Sequence, residues 1–231
     1  MKVTTHIIVP EGLLRTTETD RPQLLLHACC APCSSAIVEW LMAHDIKPVI
    51  YYFNPNIWPQ EEYEIRKQES QRHAESLGIR WIDEAVTGDG LRVTGYGHEQ
   101  WRQAVCGLEN EPERGKRCEL CFYHRLLATA RKAQALGIPF FATTLASSRW
   151  KNLEQVNRAG LKAQETVTGY GLQVTGDPSP LTAHRSPLFW PQNWRKDGLQ
   201  DRRNALLKEY NFYNQQYCGC EFSIRQQNTI S

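Results

Sequence analysis

The chain has 231 residues with 41% hydrophobic content, enough to bury a sizeable single core, and no run of about 18 apolar residues, which excludes a membrane-spanning helix. Its net charge of +2 does not by itself announce a nucleic-acid binder. Met1 to Arg21 lacks the charged-then-apolar order of a secretory signal and reads as a frayed lead-in (1–22), so the expected address is the cytoplasm, where the eight cysteines suit metal binding or redox chemistry better than a disulfide scaffold.

Gln23 to Ala28 (QLLLHA) is a short apolar run and predicts a buried parallel strand. Cys29 to Pro32 read as a turn, and a helix is expected from Ser34 or Ser35 with Ile37, Val38, Leu41 and Met42 inward. Pro48 to Phe53 (PVIYYF) predicts the second strand of a βαβ unit, punctuated by Asn54-Pro55-Asn56. Gln60 to Leu77 predicts a polar helix stopped at Gly78. Glu119 to Leu136 is the clearest helix: Phe122, Leu126, Ala130, Ala133 and Leu136 share one face, and Gly137 with Pro139 ends it. Pro139 to Thr144 follows as a strand, and Asn152 to Ala163 and Asp197 to Tyr210 as further helices. Two glycine-rich echoes, VTGDGLRVTGYG from Val86 and VTGYGLQVTGD from Val167, read as hairpin-like loops. Strands alternating with helices predict an α/β fold, a mostly parallel sheet with helices on both faces, in one domain over 23–231.

Cys29 and Cys30 fall where a parallel strand gives way to a helix, the carboxyl edge at which open α/β sheets bind ligands. A helix N-terminus favours thiolates and anions, and Pro32 suits a first turn. Cys118 and Cys121 form a C-x-x-C pair at the start of the clearest helix. Two such pairs supply four thiolates, suited to zinc or to a four-iron cluster, and spacing leaves both open. Cys218-Gly219-Cys220 permits a strained, labile disulfide, with two free thiols as the alternative. Cys33, one helical turn onward, either faces the same site or is buried, and Cys106 reads as structural. His27 either orients a ligand or is a satisfied buried histidine, while Glu62 and Tyr63 could reach the same edge, a solvated face being the commoner fate of such a glutamate. Arg185, Arg195, Lys196, Arg202, Arg203 and Lys208 surround Phe189, Trp190 and Trp194. That segment is either a surface for phosphates and unpaired bases or solvated charge beside a buried aromatic cluster.

Five segments taken together, LLLHACCAPCSS from Leu24, YFNPNIWPQEEYEIR from Tyr52, GLENEPERGKRCELCFYHRLLATA from Gly107, FFATTLASSRWKN from Phe140 and QQYCGC from Gln215, resemble the epoxyqueuosine reductases of the QueH type. The resemblance runs in order along nearly the whole chain and is weakest from Thr166 to Pro187. It implies a Rossmann-like domain of the adenine nucleotide alpha hydrolase-like type, a [4Fe-4S] cluster on Cys29, Cys30, Cys118 and Cys121, and a redox-active disulfide between Cys218 and Cys220. The implied activity is an iron–sulfur-dependent oxidoreductase that removes the epoxide oxygen of epoxyqueuosine at the tRNA wobble position, the last step to queuosine. Its implied partners are that tRNA and an electron donor the sequence does not name. Arg202 and Arg203 are then expected to hold RNA. The rival readings are an RNA-binding structural zinc protein, a thiol–disulfide oxidoreductase using Cys218 and Cys220 alone, and a cluster-dependent tRNA thiolation enzyme. HACCAPCSS stands where the last of these carries a glycine-rich SGGxDS-like loop.

Overall fold

The computed structural model describes residues 7–14, 23–83, 97–175 and 186–228. A short helix α1 (Glu11–Leu14) precedes strand β1 (Leu24–His27), helix α2 (Ala31–Ala43), strand β2 (Pro48–Tyr52), helix α3 (Gln60–Ser76) and strand β3 (Trp81–Asp83). Helices α4 (His98–Ala104) and α5 (Lys116–Ala135) lead to strand β4 (Phe140–Thr143), a 3-10 turn (Thr144–Ser147), helix α6 (Leu153–Thr175) and strand β5 (Leu188–Phe189). Helices α7 (Leu199–Glu209) and α8 (Glu221–Asn228) complete the described residues.

The sheet runs β3-β2-β1-β4-β5, and every pairing is parallel. β1 is central, with Leu25 between Val49 and Phe141 and Leu26 between Ile50 and Ala142. Its four residues are fully buried, as expected of an unbroken apolar run in a strand covered on both faces. α2 packs with α3 and α7, and α5 with α6, so helices cover the sheet as predicted. The strand order reverses between β1 and β4, which makes their carboxyl ends the topological switch point where such sheets bind ligands.

Several boundaries differ from expectation. α2 begins at Ala31, not at Ser34 or Ser35, because Cys30 caps it in extended conformation and Pro32 fits its first turn. α6 runs past Ala163 to Thr175 and absorbs most of the second glycine-rich echo, which is therefore not a hairpin-like loop up to Thr175. The cause is an apolar stripe, Val156, Ala159, Ala163 and Val167, that continues into the echo at helical spacing. Burying it outweighs the roughly 1 kcal/mol that each glycine costs a helix. The first echo, from Val86, lies outside the described residues except for Gly97, which caps α4 at φ +80°. At Gly160 a side chain is barred outright: a Cβ there would stand 2.3 Å from the Phe189 ring, so α6 lies directly on β5. Within the segment read as a lead-in, Ile7 and Leu13 are buried and the Ile8 carbonyl accepts from Trp190 Nε1 at 3.1 Å.

Candidate metal and redox centre

The carboxyl end of β1 is fixed before any cysteine is reached. His27 is fully buried, with Nδ1 2.8 Å from Thr143 Oγ1 and Nε2 3.1 Å from the Phe53 carbonyl, so it ties β1 to the ends of its two neighbours. Burial, reinforced by the Arg125 charge, lowers its pKa to about 3, and it is the satisfied neutral histidine of the two readings. The Ala28 amide donates to Tyr51 O at 2.9 Å, and the Ala28 carbonyl accepts from Asn54 Nδ2 at 2.9 Å. Asn54 in turn accepts from the buried Arg125 of α5 through Oδ1. The turn that punctuates β2 thus links the β1 limb to the helix carrying the C-x-x-C pair.

Beyond Ala28, Cys29, Cys30 and Cys33 form a buried triad whose sulfur atoms all lie within 4.8 Å of one another. Cys29 Sγ is 3.8 Å from Cys30 Sγ and accepts from Thr144 Oγ1 at 3.5 Å, while its amide donates to the same hydroxyl at 3.2 Å. The Cys30 and Cys33 thiols hydrogen-bond to Cys29 and hold its pKa well below the usual thiol range despite burial. The same contacts push Cys30 well up and Cys33 to about 11. Gln215 Nε2, from the far end of the chain, donates to Cys30 Sγ at 3.1 Å and lies 3.8 Å from Cys33 Sγ.

Cys118 and Cys121 stand in the opening turns of α5, after the cap Gly115. The Arg114 amide donates to Cys118 Sγ at 3.2 Å. Burial pushes the Cys118 thiol up to about 12 and raises that of Cys121 against the opposing charge of Arg125. Cys218 and Cys220 face them across a small cavity also lined by Trp101 and Phe122. The CGC segment is held by an antiparallel bridge between Cys220 and Ile57, by Trp58 N donating to Gly219 O at 2.8 Å, and by Arg66. The Arg66 guanidinium donates to the carbonyls of Cys218 and Tyr217 at 3.4 and 3.2 Å and pairs with Glu62 at 2.6 Å. Glu62 also accepts from Tyr213 at 2.7 Å. It is buried and not on a solvated face, because it must compensate Arg66 beneath the C-terminal segment.

A second cavity of about 670 Å³ is lined by Cys29, Cys33 and Cys218, with Lys151 and Trp150 shared with the smaller one. Cys218 thus borders both groups of sulfur atoms, and seven of the eight cysteines gather at the switch point. Cys106 alone stands apart, exposed and away from the other sulfur atoms. Burial works to lower the pKa of Lys151, but the charges of Cys218, Cys29 and Cys33 outweigh it and raise it. Arg66 and Arg125 line the larger cavity as well, with Glu113 as its one carboxylate among the described residues. Clustered thiols among buried cations are a donor set that can hold a metal.

Not every expected site residue arrives in one group. Cys29 and Cys30 meet Cys33, whereas Cys118 and Cys121 meet Cys218 and Cys220, and all eight cysteines are thiols here. The late basic and aromatic segment does not form a stacking surface: Phe189, Trp190 and Trp194 are buried. Arg202 is tied to Glu39 at 2.6 Å and Glu209 at 3.3 Å, and Arg203 alone of the proposed pair lines the cavity. Arg185 lies outside the described residues. Residue-by-residue reasoning missed Asn54, Arg66, Arg125, Lys151 and Gln215; their only signal was membership of the motif strings, since isolated polar residues announce no partner.

The sequence model of the family described as "Epoxyqueuosine reductase QueH" matches residues 24–226. An epoxyqueuosine reductase QueH of Haemophilus influenzae is 38% identical over 206 residues, covering 89% of this chain and 73% of its own. One of Acinetobacter baylyi is 38% identical over 207 residues, covering 89% of this chain and 82% of its own. One of Thermotoga maritima is 30% identical over 204 residues, covering 87% and 90%. With its parallel sheet and its cysteines gathered at the switch point, the chain belongs to the epoxyqueuosine reductase QueH family.

Proposed function

We propose that the chain removes the epoxide oxygen of epoxyqueuosine at the wobble position of tRNA, with a [4Fe-4S] cluster on Cys29, Cys30, Cys118 and Cys121 and a dithiol–disulfide pair at Cys218 and Cys220. The observation that carries this reading is the gathering of seven thiols and several buried cations around adjoining cavities that border on Cys218. Such a cluster supplies low-potential electrons one at a time. The overall change takes two electrons and two protons, forms a carbon–carbon double bond and releases water. Oxidation of the Cys218 and Cys220 dithiol to a disulfide releases two electrons and two protons, which balances it, and a reductant from a separate protein or small molecule then restores the dithiol. The larger cavity is of ordinary size for one nucleoside-sized group, and Lys151 stands in it as a cation beside Cys29, Cys33 and Cys218. A reducing compartment, the cytoplasm, suits thiols in this role.

The test is anaerobic purification with iron and sulfide analysis, followed by an assay on epoxyqueuosine-containing tRNA. A brown protein with about four irons and four sulfides that yields queuosine is expected. A colourless protein holding one zinc after anaerobic reconstitution, and inert toward that tRNA, overturns the reading in favour of a structural metal.

A further inference from the structure

Of the seven tryptophans Trp150 is the most exposed, at 64%. An isolated exposed aromatic needs no explanation, but this one is fixed in place at a cavity mouth. Its carbonyl accepts from Arg114 Nε at 2.9 Å, and its amide donates to Ser148 Oγ at 3.3 Å. Arg195 clasps the same loop through the carbonyls of Ser148 and Lys151. The Arg149 guanidinium lies 4.9 Å from the Trp150 ring centroid and covers it. Arg149 and Arg203 line the larger cavity and Arg114 the smaller, against Glu113 as the one carboxylate on either lining, so the rim carries a net positive charge. Trp150 lines both cavities, which places it where the thiol-lined space opens outward.

A cavity of about 670 Å³ admits one nucleoside but not the loop that bears it, so the flanking nucleotides must lie on the rim. Drawing one base out of a loop also strips its neighbour of a stacking partner, and proteins replace that partner with an aromatic ring or an arginine plane. We propose that Trp150, backed by Arg149, is the platform on which the base adjacent to the wobble nucleotide stacks, with Arg203 meeting a flanking phosphate. This rests on the reading of the substrate as a tRNA anticodon loop. It also moves RNA recognition away from Trp190 and Trp194, which are buried, to the loop between the 3-10 turn and α6.

The test uses the full chain, purified anaerobically, and an anticodon stem-loop RNA with 2-aminopurine at either neighbour of the wobble position in turn. Binding is expected to quench the fluorophore at one of the two positions. Trp150→Ala is expected to abolish the quench and weaken affinity about 10-fold. Trp150→Leu, apolar without a π face, should match the alanine variant, and Trp150→Phe should retain most of the effect. Arg203→Gln should lower the slope of affinity against salt by about one charge, a slope Trp150→Ala leaves in place. Wild-type affinity and quench in Trp150→Ala, or no quench at either position in the unaltered protein, overturns the platform. Turnover of epoxyqueuosine tRNA separates the two failures. An unaltered protein that is inert yet binds RNA through Trp150 sinks the reductase reading alone. Turnover with unchanged KM and RNA affinity in Trp150→Ala sinks the platform alone.

Discussion

The two cysteine-bearing limbs that meet at Cys218 are held in different ways. The β1 limb grows out of the central strand: Cys29 and Cys30 follow a fully buried backbone, Cys30 caps α2, and Cys33 lies in its first turn. The C-terminal limb adds no strand to the sheet. Its CGC segment rests on the antiparallel bridge to Ile57, which includes the Trp58 N to Gly219 O bond, on the two carbonyls gripped by Arg66, and on the packing of Cys220 with Trp101, Cys121 and Phe222. Metal ligands need fixed geometry, which rigid elements supply. A thiol pair that must exchange electrons with an external reductant needs to open at low cost, and a limb outside the sheet opens at lower cost than a continuation of its central strand. On the function proposed above, the β1 and α5 cysteines would serve as the cage and the CGC segment as the arm that exchanges electrons.

The largest effect should come from separating cage and arm by their cysteines. Cys118→Ser with Cys121→Ser is expected to abolish iron retention after anaerobic reconstitution and all turnover. Cys218→Ser with Cys220→Ser should keep the iron and lose multiple turnover. Cys106→Ser, on the exposed surface, should change neither. Iron and sulfide analysis beside a turnover assay reads all three, and iron loss from the arm variant would erase the distinction.

Next in size is the grip of Arg66. Arg66→Met leaves Glu62 buried without its cation, a loss of about 3–5 kcal/mol for a broken buried pair that a urea titration reads directly. Replacing both, Glu62→Leu with Arg66→Met, should recover most of that stability while leaving the carbonyls of Tyr217 and Cys218 without their donor. Limited proteolysis near Tyr217 should therefore stay fast in the double variant although its stability returns. Slow cleavage there would mean that Arg66 does not hold the arm.

This contrast was partly legible in the sequence. The QLLLHA run, most of the apolar face of α5 and the helix-edge cysteines carry local signals that place them in their elements, although Leu136 and Met42, read as inward, are exposed. The polar partners carry none. Asn54 and Arg125 are 71 positions apart, and Gln215 reaches Cys30 across 185, so only tertiary placement brings them together. Glu62 was misread because helix composition cannot reveal that a later segment will cover it. The second glycine-rich echo was misread because glycine outvoted an apolar stripe whose burial depends on the packing of α6 against α5.

Gly219 gives a smaller, sharper test of the arm. Its φ is +99°, and an added Cβ would lie 2.9 Å from Arg66 Nη1 and 3.0 Å from Ile57 Cγ1. Gly219→Ala should cost about 1–3 kcal/mol of local strain, loosening the arm while the iron content of the cage is unchanged. Faster amide exchange confined to the CGC segment is expected. Iron loss in this variant would show that arm and cage are one unit.

The smallest effect concerns the root of the arm, where His73 of α3 lies edge-on to Tyr210 and Phe212 at 5.1 and 5.2 Å. Its burial, opposed by Glu39 and aided by Arg72, lowers its pKa from 6.5 to about 4. The unfolded chain therefore takes up a proton below pH 6.5 that the folded chain refuses until about pH 4. Stability from this group is fully present above pH 6.5 and is lost as the pH falls through that window, by about 1–2 kcal/mol at pH 5. His27, also lowered to about 3, contributes a slope of its own, so the informative quantity is the difference between unaltered protein and a His73→Leu variant. Urea midpoints at pH 7.5 and 5 should converge less steeply in the variant. Because His73 packs under the arm and not under the cage, cleavage near Tyr217 should accelerate at pH 5 only in the protein that keeps the histidine. Equal acceleration in both would place the acid-sensitive contact elsewhere.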